Sequence, residues 1–83
     1  MSQELKAKVE KLLNQHGALD GGREVLLLPF GERGVRCVIV RPTKKGSVQE
    51  RVATAQELRG SLNDQANGLV GRLLSLPIAT ESL

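Results

Sequence analysis

The chain has 83 residues, with twelve basic and nine acidic side chains, a formal net charge of +3, and 40% hydrophobic residues. This length supports a single domain with a modest core, which excludes a second domain. Because there is one cysteine and one histidine, the sequence predicts neither an intrachain disulfide nor a metal site, and we expect no cofactor.

Motifs that carry catalysis are missing from the sequence. There is no G-x-S-x-G nucleophile turn and no glycine-rich phosphate loop, and the carboxylates are scattered along the chain. A small-molecule site would also need a pocket of roughly 300 Å³ or more, which so small a domain rarely forms. We therefore predict that the chain is not an enzyme, with no catalytic residues and no small-molecule substrate.

The first third of the chain predicts an amphipathic helix over residues 3–16. The residues that recur at three- and four-residue spacing are Leu5, Val9, Leu12, Leu13 and His16. Gly17 follows at the position where a left-handed residue commonly ends a helix.

Two strands are expected next, over residues 23–30 and 35–41, because both runs are rich in apolar and β-branched side chains. Residues 31–34 begin and end with glycine, which favours a tight antiparallel hairpin. Pro29 cannot donate a ladder hydrogen bond, so it should lie at a strand end, a bulge or a sheet edge.

Both predicted strands are apolar on both faces. Two short helices can cover both faces, but if they pack on one side the other side needs a partner. A homo-oligomer, most simply a two-fold dimer, is the natural hypothesis. In the first strand, Val25 and Leu27 lie on one face and Leu26, Leu28 and Phe30 on the other; in the second, Val35, Cys37 and Ile39 oppose Val38 and Val40.

Two capping-box signatures compete in the next segment, Ser47-x-x-Glu50 and Thr54-x-x-Glu57. Only the second opens a sustained apolar stripe, so we start the main helix near Ala55 and expect residues 48–53 to form a third strand. The sequence thus predicts a small α+β domain of order αβββα, or αββα if Ser47 opens the helix. In both, an antiparallel sheet has a helix at each end of the chain.

Interior glycines weaken this second helix and predict a kink or break near Asn67. The same glycines would permit close approach of a partner. Pro77 should end the helix. We therefore assign residues 1–76 to the domain and expect residues 77–83 to be a disordered tail.

Positive charge is concentrated in residues 23–51, which hold seven basic and three acidic side chains. Such a stretch favours contact with nucleic-acid phosphates, DNA or RNA. With a single aromatic residue, there is no stacking platform, so the contact would follow the backbone without strong sequence specificity. The candidate contacts, expected to converge on one edge of the sheet, are Arg33, Arg36, Arg41, Lys44, Lys45 and Arg51.

The lone cysteine, Cys37, alternates with Val35 and Ile39 and is expected to be a buried structural thiol. This usage fits a reducing compartment, and the first residues lack a signal-peptide pattern, so we expect a cytoplasmic protein. The longest apolar run, residues 25–30, is far shorter than the roughly 20 residues that span a bilayer. We expect no membrane association.

These observations predict a non-enzymatic protein-interaction or homo-oligomerisation module. The alternative is a small basic nucleic-acid-binding protein.

Overall fold

A computed structural model describes residues 3–75 of the chain. It confirms the α+β class and the order αβββα. The three strands form one antiparallel sheet in the order β1-β2-β3. The elements are α1 (Gln3–Gln15), β1 (Glu24–Phe30), β2 (Gly34–Thr43), β3 (Gly46–Ala55) and α2 (Leu62–Ser75).

Helix α1 ends at Gln15, one residue before the predicted end. Gly17 has a φ of +72°, the left-handed conformation that glycine adopts without steric cost. Its N–H donates to the Asn14 carbonyl at 3.0 Å, and the Ala18 N–H donates to the Leu13 carbonyl at 2.9 Å. These two bonds satisfy carbonyls that the end of the helix leaves free, so the predicted glycine cap is confirmed.

The β1–β2 hairpin forms as predicted, with Phe30 opposite Gly34. A Cβ added at Gly34 would lie 2.6 Å from the Ala55 carbonyl oxygen and would also collide with that of Phe30. Only glycine allows the three strands to approach this closely. Pro29 lies in β1, an edge strand, where its missing N–H is tolerated.

Strand β3 is longer than predicted, since it covers Gly46–Ala55. Ser47 and Glu50 lie within it, so the αββα alternative is wrong. In the β2–β3 ladder, Ile39 is paired with Arg51, whereas the next residue, Val40, is paired with Gln49. Glu50 is therefore an extra residue in a β-bulge, which bends the strand locally.

Helix α2 begins at Leu62, seven residues after the predicted start. Its capping box is formed by Ser61, whose Oγ accepts from the Asp64 N–H at 3.1 Å and whose N–H donates to Asp64 Oδ2 at 3.2 Å. The predicted break is also wrong, because the helix is continuous through Asn67. Its buried stripe compensates for the glycines and consists of Ala66, Leu69, Val70 and Leu73.

Both helices pack on the same side of the sheet. Helix α1 contacts α2 and β1, and α2 contacts β3. The core lies between them and the sheet, with Val35, Cys37 and Ile39 of β2 at its centre. The predicted disordered tail, residues 77–83, lies outside the described residues.

Candidate interaction surface

The side of the sheet opposite the helices carries a second set of apolar side chains. We call this surface the open face. Its central row joins Leu26 of β1, Val38 of β2 and Val52 of β3, which are cross-strand neighbours. Val38 is 1% exposed, whereas Leu26 is 37% and Val52 38% exposed. The open face consists of Glu24, Leu26, Leu28, Phe30, Arg36, Val38, Val40, Gln49, Val52 and Thr54.

The two ends of the open face differ in charge. At one end, the Arg36 guanidinium lies 5.0 Å from the centre of the Phe30 ring, within the range of a cation–π contact. At the other end, Glu24 of β1 lies beside Val40 of β2. Arg36 and Val40 are four residues apart on one strand, or about 13 Å. The open face therefore carries Arg36 at one end, which we call the basic end, and Glu24 at the other, which we call the acidic end, with apolar side chains between them.

An ion-pair network sits next to the acidic end, at the bulge in β3. Arg23 Nε donates to Glu50 Oε1 at 2.6 Å, and Arg41 Nε donates to Glu50 Oε2 at 3.1 Å. The hydrogen bond from Arg23, with a further one from Arg41, holds the pKa of the Glu50 carboxyl below its usual range. Since Glu50 of β3 joins Arg41 of β2 to Arg23, which immediately precedes β1, the network has a structural role in this sheet.

The predicted nucleic-acid contacts do not converge on one edge of the sheet. Arg33 lies in the β1–β2 turn, whereas Lys44 and Lys45 lie in the β2–β3 turn. These turns are at opposite ends of the ten-residue strand β2, which is about 30 Å long. The expectation of a single basic edge is therefore wrong.

Three of these basic residues contact carboxylate or carbonyl oxygens of the protein. Arg33 lies 3.6 Å from Glu57, and Arg41 is held by Glu50. Arg51 is half-buried on the helix side of the sheet and donates to the Leu73 carbonyl at 3.4 Å. Arg51 pairs with Ile39 and alternates with Val52, which places it on that side.

Residues 3–75 contain no buried polar or charged side chain and no cluster of three or more potential metal ligands. An open groove of about 560 Å³ runs past Arg72, which donates to the Thr54 carbonyl at 2.6 Å.

Cys37 is fully buried, as predicted, and burial raises the pKa of its thiol from 9.0 to about 12. Among helices α1 and α2, neither is long and apolar enough to span a membrane.

The sequence did not lead us to predict two sets of contacts near the ends of the open face, the Arg36–Phe30 contact and the Glu50 network. The Arg36–Phe30 contact follows from the hairpin register, since these residues lie on adjacent strands and the same face. The Glu50 network depends on a bulge that no local motif marks. Only the first could have been found from the sequence.

No protein-family model matches the chain, and neither a curated protein nor a solved structure shows significant similarity to it. The function is therefore inferred from the chemistry and geometry of the surface.

Proposed function

We propose that this chain is a homo-oligomerisation module that associates through the open face. The observation that carries the proposal is the apolar row of Leu26, Val38 and Val52 on the side of the sheet that neither α1 nor α2 covers. An antiparallel sheet with one face in water normally alternates apolar and polar residues. Here the outward positions at the centre of the sheet are apolar as well.

The arrangement of these side chains supports the proposal more than their number does. Single exposed apolar residues are common on soluble proteins. Leu26, Leu28 and Val52 instead adjoin the buried Val38 in one continuous patch. Contiguous apolar patches of a few hundred Å² are often functional.

The size of the patch indicates weak, reversible association. Three strands about 4.8 Å apart and about 20 Å long give an outline on the order of 300 Å². A standard protein–protein interface buries about 800 Å² on each partner. We therefore expect dimers to form in the micromolar range and above.

Sedimentation equilibrium from low micromolar to near-millimolar concentration tests the proposal. The Val52→Lys variant places a charge in the central row of the open face and should remain a monomer throughout. The matched control is Val48→Lys, since Val48 is equally exposed on the same strand but lies opposite Arg41, outside the open face. A wild-type chain that stays monomeric, or equal dissociation in both variants, contradicts the proposal.

Nucleic-acid binding has less support, because its candidate residues are spread over both ends and both sides of the sheet. Titrating the protein with duplex DNA, duplex RNA and single strands at several salt concentrations separates the two functions. A steep loss of affinity with salt would favour the nucleic-acid alternative.

A further inference from the structure

The charges on the open face restrict how a second copy can pack against it. Within residues 3–75, neither Glu24 nor Arg36 takes part in an ion pair. They lie at opposite ends of the face, on the adjacent strands β1 and β2. Each is thus available to a charge supplied by another molecule.

Two identical sheets can stack about a two-fold axis that runs along the strands or across them. An axis along β2 places Arg36 over Arg36 of the second copy, and like charges in contact oppose association. An axis across the strands, through the row of Val38, reverses the strand direction. It then places the end that bears Arg36 over the end that bears Glu24 of the second copy.

The second arrangement also matches the remaining side chains. The row of Leu26, Val38 and Val52 in one copy packs against the same row of the second copy and forms an apolar centre. Thr54 comes opposite Gln49 of the second copy, which pairs two polar side chains. Packed sheets are about 10 Å apart, a distance that side chains of this size fill.

The Arg36 side chain leans toward strand β1. Its guanidinium leans over Phe30, which belongs to β1. Glu24 of the second copy would lie over the same strand, about 4.8 Å to the side of Arg36. Both side chains are long enough to meet across that offset.

We infer that the partner of the open face is a second copy of this chain, packed face to face about a two-fold axis across the strands. Arg36 of each copy then pairs with Glu24 of the other. This inference rests on the proposed function and specifies its geometry.

Charge reversal tests the arrangement. Glu24→Arg and Arg36→Glu should each raise the dimer dissociation constant at least tenfold, because both intermolecular pairs become repulsive. An equal mixture of the two variants should form a heterodimer with near wild-type affinity, since every pair is again of opposite sign. The matched controls are Glu32→Arg and Lys44→Glu, which change the same charges in the hairpin turns and should have no effect.

The mixing experiment also guards against misfolding, because two damaged chains would not restore each other. Failure of the mixture to associate more tightly than either variant alone overturns the arrangement. Unchanged affinity in both variants, with Val52→Lys still monomeric, overturns the arrangement but leaves the proposed function intact. A monomeric wild-type chain overturns both.

Discussion

The two faces of the sheet are built by the same three strands, yet only one is covered by helices. On the covered face, Val35, Cys37 and Ile39 are at most 1% exposed, whereas on the open face Leu26 and Leu28 are 37% and 40% exposed. Alternation along a strand determines which residues share a face. Which face is covered depends on where the helices pack, and here α1 packs against α2 on a single side.

The contrast between the faces is tested most strongly by truncating one leucine on each. Leu73 of α2 is fully buried against the covered face, so Leu73→Ala should reduce the free energy of unfolding by about 2–5 kcal/mol. Leu28→Ala should cost about 1 kcal/mol or less at concentrations where the chain is monomeric, because the side chain already contacts water. Urea denaturation at low concentration measures both.

The same pair of variants reports on association. If the chain dimerises through the open face, the effect of Leu28→Ala should grow at high protein concentration, since a dimer would stabilise the folded state by mass action. The effect of Leu73→Ala on the free energy of unfolding should not change with protein concentration. Equal losses at low concentration would contradict the assignment of an uncovered face.

A second prediction concerns the thiol of the covered face. The pKa of Cys37 is about 12 when the chain is folded, against 9.0 for an exposed thiol. The contribution of the buried neutral thiol to the free energy of unfolding is fully present below pH 9.0. It decreases as the pH rises toward 12, because the unfolded chain releases the thiol proton at a lower pH than the folded chain does. Over this range, the free energy of unfolding should decrease with a slope that approaches about 1.4 kcal/mol per pH unit.

Chemical denaturation across this pH range tests the effect, and the sequence contains no tyrosine that would titrate with the thiol. Cys37→Ala should remove this part of the slope. A thiol reagent should also react slowly with the native protein. Rapid modification under native conditions would show that the covered face opens.

Strand positions and faces were predictable because they depend on local patterns. Alternation placed Cys37 correctly, and Gly17 marked the end of α1. The start of α2 was missed because Thr54-x-x-Glu57 and Ser61-x-x-Asp64 satisfy the same capping pattern. The structure selects the second because Ala55 is buried at the end of β3, a tertiary contact that no local motif records.

For the candidate site, the contributions of β1 and β2 to the open face were predictable from the sequence and those of β3 were not. Leu26 and Val38 follow from alternation. The contribution of Val52 requires the register of β3, and the ion-pair network of Glu50 requires the bulge. Long-range pairing of this kind is set by the whole fold.

The smallest predicted effect concerns a third surface, the outer side of α2. Gly68 and Gly71 are exposed there, and a Cβ added at either position would meet no described atom within 4 Å. Alanine loses less backbone entropy than glycine in a helix, so Gly68→Ala and Gly71→Ala should each stabilise the monomer by about 0.5–1 kcal/mol. If the open face is the interaction surface, the doubly substituted chain should dimerise with unchanged affinity in sedimentation equilibrium. If a partner instead approaches the backbone of α2 closely, the two added methyl groups should weaken association while urea denaturation shows a more stable fold, and that result would move the interaction surface from the sheet to the helix.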